Sequence, residues 1–135
     1  MPVDDDVTIK KILQESRTIA VVGASAKPWR DSNSIAEFLI REGYQVIPVN
    51  PRYEEVLDLK CYPDLKSMPQ PVDIVDIFRN PEHVEEIVDD AIAMKAKTVW
   101  MQLGVVNPKA AKKAEAAGLN VVMDRCILVD HRRLL

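Results

Sequence analysis

The sequence predicts an α/β domain: a doubly wound parallel sheet of five strands with helices on both faces. Three observations predict it. Short Val- and Ile-rich segments alternate with amphipathic segments from end to end. The short segments are apolar on both faces, the pattern of parallel strands covered by helices. The first of them runs into a glycine turn, Val21-Val22-Gly23-Ala24-Ser25, and the next ends in Val49-Asn50-Pro51. At 135 residues, the whole chain, 1–135, is read as one domain with room for its own core.

The elements follow in order. A helix from about Asp6 to Gln14 would turn Ile9, Ile12 and Leu13 inward. Strands are expected at Thr18 to Val22, Gln45 to Val49, Val72 to Phe78, Thr98 to Leu103 and Asn120 to Met123. Ser34 and Glu37 have capping-box spacing and predict a helix starting near Ser34. Asn80-Pro81 and Asn107-Pro108 each offer a side-chain cap followed by proline at the first helical position. After Asn80, Val84, Ile87, Val88, Ala91 and Ile92 share one helical face and Glu85, Glu86, Asp89 and Asp90 the other. Gly43 and Gly118 sit where helices should end in a left-handed residue. The stretch from Arg52 to Pro71 holds Pro63, Pro69 and Pro71 and reads as loop, with a short turn around Pro63 to Met68. Strand–helix–strand alternation implies right-handed crossovers, and the expected strand order is 3-2-1-4-5.

Composition narrows the function. With 18 basic and 21 acidic residues the net charge is -3, which argues against general nucleic-acid binding. No apolar run reaches membrane-spanning length. Asp4, Asp5 and Asp6 are the opposite of a basic signal-peptide start, so a cytoplasmic protein is expected. Cys61 and Cys126 are far apart, lack metal-ligand spacing, and read as reduced thiols. His83 reads as a surface residue and His131 as part of a solvated tail. Neither pairs with other ligands for a metal, and no nucleophile–histidine–acid set stands out.

In an open parallel sheet, ligands bind beyond the carboxyl ends of the strands where the order reverses. For the order 3-2-1-4-5 that point lies between strands 1 and 4. Gly23 alone would only end a strand. In a βαβ frame it suggests a phosphate loop, with free amides, the following helix N-terminus, Ser25, Lys27, Arg30 and Ser34 available to an anion. An NAD site usually places a carboxylate after the second strand. Here Asn50-Pro51-Arg52 suits an adenine edge or an additional phosphate, although Arg52 alone could be a solvated turn residue. Phe78 is the last core residue of its strand or a wall of the cleft, with Arg79 its cation. Gly104 starts a loop or allows close ligand approach.

Five segments together resemble a family. They are Val-Val-Gly-Ala-Ser (Val21 to Ser25), Pro-Val-Asn-Pro (Pro48 to Pro51), Asp-Ile-Phe-Arg (Asp76 to Arg79), Trp-Met-Gln-Leu-Gly (Trp100 to Gly104) and Met-Asp-Arg-Cys (Met123 to Cys126). In this order they resemble stand-alone CoA-binding proteins related to the CoA-binding domain of the succinyl-CoA synthetase α subunit. The resemblance implies a Rossmann-like fold with coenzyme A, or an acyl-CoA, as ligand. It places the pyrophosphate at Gly23, Ala24 and Ser25 and the adenosine end near Val49, Asn50, Pro51 and Arg52. Pantetheine would run past Phe78, Arg79 and Gln102-Leu103-Gly104. The synthetase's phosphohistidine belongs to a second domain, and no residue here matches it, so binding without catalysis is the expectation.

Two alternatives are also compatible with the sequence. One is an NAD(P)-binding enzyme or module using the same crevice, with Arg52 on a 2′-phosphate. The other is a thiol-handling protein forming a CoA mixed disulfide at Cys126, where Arg125 would raise the thiolate fraction. Against the second stands the ordinary role of cysteine as a small core residue. The expected partner is the small-molecule nucleotide, with no nucleic acid and no membrane. Monomer and homodimer are equally compatible with the chain.

Overall fold

The computed structural model describes residues 1–135. Five parallel strands form one sheet: β1 (Thr18–Val22), β2 (Gln45–Val49), β5 (Ile74–Ile77), β6 (Thr98–Met101) and β7 (Asn120–Met123). Between β2 and β5 lies a two-residue-strand hairpin, β3 (Glu55–Val56) and β4 (Leu59–Lys60), and a 3-10 turn at Leu65–Ser67. The helices are α1 (Asp6–Glu15), α2 (Asp31–Arg41), α3 (Val84–Ala93), α4 (Pro108–Ala116) and α5 (Ile127–Leu134). No helix is long and apolar enough to cross a membrane.

Strand alternation sends side chains to two separate cores. Ala20, Val22, Val75, Ile77, Val99 and Met101 pack under α3 and α4, where Val84, Val88, Ala91, Ala110, Ala111 and Ala114 are buried. Ile19, Val21, Ile74, Trp100 and Val122 pack under α1, α2 and α5 with Ile9, Leu13, Ile35, Leu39 and Ile127. Helices therefore cover both faces, as the apolar strands predict.

The sheet order is β2-β1-β5-β6-β7. Counting the sheet strands alone, this is second, first, third, fourth, fifth. The third strand lies beside the first, with Ile19 against Ile74 and Val22 against Ile77. The expected order 3-2-1-4-5 puts it beyond the second. That outer position is taken by the segment after β2: Tyr62 bridges Val49, its amide donates to Pro48 O at 3.0 Å, and Asn50 N donates back to Tyr62 O at 2.8 Å. Crossing back over β1 lets the third strand bury both faces, which its four fully buried residues require. The reversal point moves accordingly, to the gap between β1 and β5.

Other differences are local. α2 begins at Asp31, so Ser34 lies inside its first turn, its hydroxyl donating to Asp31 O at 3.2 Å. The expected Ser34–Glu37 capping box is not formed, because the amides of Asn33 and Ser34 already close on Arg30 O. Asn80 makes no side-chain cap, since a 3-10 turn at Pro81–His83 precedes α3. Asn107 does cap α4, accepting from Ala110 N at 3.0 Å. Gly43 and Gly118 end their helices at positive φ as expected.

The C-terminal segment is not a solvated tail. It is α5, and His131 is buried edge-on against Phe38 and Tyr44, at centroid distances of 5.3 and 5.8 Å. Asp130, also buried, accepts from Arg125 Nε and Nη2 at 2.7 and 2.8 Å and anchors the helix to the end of β7.

Candidate functional site: a cationic crevice at the β1–β5 switch point

A crevice of about 970 Å³ opens at the carboxyl ends of β1, β2 and β5. That volume is at the upper end for ligand sites. The β1–α2 loop lines it with Gly23, Ser25, Lys27 and Arg30. Asn50, Pro51 and Arg52 come from the end of β2, and Phe78 and Arg79 from the end of β5. These nine were all expected from the sequence.

Gly23 sits where three strands end. Its φ is +91°, and a Cβ there would lie 2.5 Å from Phe78 O and 3.1 Å from Arg79 Cδ. The missing side chain lets the end of β5 close directly over the β1 turn. The ladder runs on through this point: Gly23 N donates to Val49 O and Phe78 N to Val22 O, both at 2.8 Å.

Two asparagines then orient the loop. Asn50 Nδ2 donates to Ala24 O and Asn33 Nδ2 to Ser25 O, each at 2.8 Å. In a trans peptide the carbonyl of one residue and the N–H of the next point in opposite directions. Pinning the Ala24 and Ser25 carbonyls back therefore turns the Ser25 and Ala26 amides the other way. The Ala24 and Ser25 amides donate to no group of the protein, nor do those of Asp31 and Ser32 in the first turn of α2. Free amides and a helix N-terminus form an anion cradle. Asn50 thus supports the loop from behind, where the sequence suggested it would meet an adenine edge. Its Oδ1 is also engaged, accepting from Arg52 N at 2.9 Å. Replacing Asn50 with alanine should release the Ala24 carbonyl and cost about 1 kcal/mol of stability, readable in urea denaturation.

Charge is concentrated in the crevice. Lys27, Arg30, Arg52 and Arg79 face it with one carboxylate, Asp31, and none of the four cations is ion-paired. The cations act on Tyr53 as well. The neighbouring Ser25 hydroxyl, then the Lys27 charge, the Ala26 amide and the Arg52 charge, hold its phenol below its ordinary pKa despite some desolvation.

Sequence reasoning missed Trp29, Asp31, Ser32, Tyr53, Asn80 and His83, which also line the crevice. His83 was read as a surface residue. The 3-10 turn that swings it in, its Nε2 3.5 Å from Glu82, has no sequence signal beyond Asn80-Pro81.

Seven expected site residues lie off the crevice wall. Ala24 and Val49 are buried beneath it, and Ser34 is within α2. With β5 inserted between β1 and β6, the Gln102-Leu103-Gly104 turn stands one strand further away than the order 3-2-1-4-5 would place it. Its groups serve the next loop. Gln102 is buried and its Oε1 accepts from Ile127 N at 3.1 Å, Gly104 N donates to Asp124 Oδ1 at 2.7 Å, and Leu103 is exposed. Cys126 is half-buried at the N-terminus of α5. The Arg125 guanidinium that would act on its thiol is bound by Asp130.

A five-stranded parallel sheet covered by helices on both faces, with a glycine turn at its switch point, defines an α/β protein of Rossmann-like type. Residues 17–132 match the family model of the CoA binding domain, and the chain belongs to that family. It is 40% identical over 123 residues to the uncharacterized protein YneT of Bacillus subtilis, covering 91% of each chain. It is 29% identical over 121 residues to acetate–CoA ligase (ADP-forming) I of Archaeoglobus fulgidus, covering 82% of this chain but only 18% of the ligase. Among solved structures, a hypothetical protein from Pyrococcus horikoshii superposes with a TM-score of 0.95 at 45% identity, over 99% of this chain and 96% of that one.

Proposed function

We propose that this chain binds coenzyme A, or an acyl-CoA, in the β1–β5 crevice as a carrier or sensor, without chemistry of its own. The observation that carries the reading is the set of four unpaired cations over outward-turned amides, in a chain of net charge -3. A ligand bearing several phosphates matches it. In this reading the pyrophosphate lies over the Gly23–Ser25 turn, on the free Ser25 amide and the N-terminus of α2. The adenosine end follows Asn50, Pro51 and Arg52, and pantetheine leaves past Phe78 and Arg79.

The test is thermal unfolding with CoA, NADPH and ATP in parallel. Coenzyme A at a hundred times its Kd should stabilise the protein by about 2.7 kcal/mol. No shift with CoA beside a clear shift with NADPH would overturn the reading in favour of a dinucleotide site. Arg52→Ala and Arg79→Ala should each weaken CoA roughly tenfold or more, as expected for losing a charge-assisted bond to phosphate. Titration calorimetry at two salt concentrations would read both losses.

A further inference from the structure

The chain has two tryptophans, and they have opposite surroundings. Trp100 is fully buried in β6, its indole N–H donating to Arg125 O at 2.8 Å. Trp29 is 75% exposed on the β1–α2 loop and lines the crevice. Its loop is tethered at Ser25 O by Asn33, and Arg30 begins α2 immediately after it, so the ring is carried on a short, anchored segment. Lys27 Nζ stands over the ring, 5.9 Å from its centroid. A single exposed apolar side chain needs no explanation. This one lines a crevice that is otherwise mostly polar and cationic and whose other aromatic side chains are Tyr53 and Phe78.

We propose that Trp29 is the stacking platform for the ligand's purine base. A flat base laid against the indole gains stacking energy that the cations cannot supply. An amphipathic aromatic next to phosphate-binding groups is the chemistry of nucleotide recognition. Lys27 then has two roles, holding the indole and placing its charge near the adjoining phosphate. This rests on the crevice being a nucleotide site, and adds which part of the nucleotide Trp29 reads.

Trp29 is the solvent-exposed fluorophore, so tryptophan emission reports on it directly. The probes are CoA, adenosine 3′,5′-bisphosphate, 4′-phosphopantetheine and inorganic pyrophosphate, with binding measured independently by calorimetry. Coenzyme A and the bisphosphate, which carry adenine, should change the emission, and the two probes without a base should not. Trp29→Phe should lose the signal, because only buried Trp100 would remain, while keeping most of the affinity. Trp29→Ala should weaken CoA and the bisphosphate by about tenfold or more and leave 4′-phosphopantetheine unchanged. If CoA binds Trp29→Ala as tightly as the parent, or pyrophosphate changes the emission as much as CoA does, stacking is overturned and CoA binding stands. If the bisphosphate changes the emission while CoA fails to bind, stacking stands and the CoA reading falls. If neither adenine-bearing probe binds, both are overturned.

Discussion

Gly23→Ala should destabilise the protein by about 3 kcal/mol or more and abolish ligand binding, because two independent costs meet at that position. The first is backbone strain: at φ +91° an L side chain is in a region it rarely adopts. The second is collision. The new Cβ would stand 2.5 Å from the carbonyl oxygen of Phe78, a backbone atom held in place by the β1–β5 ladder. Relief requires β5 to move away from β1, which opens the switch point and displaces Arg79. Gly104→Ala separates the two costs. Gly104 has φ +84°, but a Cβ there meets nothing within 4 Å. It should lose only the strain, about 1 kcal/mol, and leave the crevice intact. Urea denaturation of both variants gives the comparison. Equal losses would show that close approach of β5 is not what makes glycine necessary at position 23.

The same contact explains what could and could not be read from the sequence. The strands were legible because each is a short, doubly apolar run between turn residues, and β1, β2 and β7 have the bounds expected of them. Strand order was not legible, since it depends on which neighbour buries β5. The sequence shows that Ile74 to Ile77 must be covered, without showing by what. The β3–β4 hairpin was missed because its turn is Leu57-Asp58, two residues at φ 54° and 63°, where glycine or asparagine is the usual signal. For α5 a signal existed: Asp130 in the first turn and Arg132 and Arg133 in the last follow the charge order a helix dipole favours. In the site, the residues directly after β1, β2 and β5 and the cations of the glycine loop, Lys27 and Arg30, were legible, and several others were not. Gly23, Asn50 and Arg79 follow strands with fixed direction. Trp29, Tyr53 and His83 reach the crevice through irregular backbone that no periodicity describes.

Asp76 raises a different question, and substituting it should stabilise the fold. It lies in the middle of the sheet with no exposure, opposite Val21 on β1 and Trp100 on β6. Neither carboxylate oxygen has a hydrogen-bond partner. Burial drives its pKa well above the ordinary carboxylate value. Asp73, three residues earlier, meets the opposite fate. Burial pushes it up as well, but the amides of Arg17 and Thr18 and the Lys97 ammonium outweigh that and leave its pKa lowered. The signs follow from linkage. For Asp76 the folded state holds a proton that the unfolded state gives up near pH 4, so its contribution is most favourable below that pH. It declines by about 1.4 kcal/mol per pH unit as pH rises toward the folded-state pKa, and is constant above it. Asp73 behaves in reverse, losing its contribution as pH falls, and a single pH profile would blend the two. The difference between parent and Asp76→Val at each pH isolates Asp76. Valine suits a buried strand and removes an unsatisfied polar group, so the variant should gain about 1–3 kcal/mol at pH 4, and more at pH 7. If the gap stays constant from pH 4 to pH 8, Asp76 does not titrate differently in the folded state. If Asp76→Val is less stable throughout, the carboxyl has a partner, such as a buried water, that stabilises it. Because β5 leads directly into Phe78 and Arg79, CoA affinity should be measured on the same variant. A more stable protein that binds CoA more weakly would show that the buried acid is kept for the crevice at the expense of the fold.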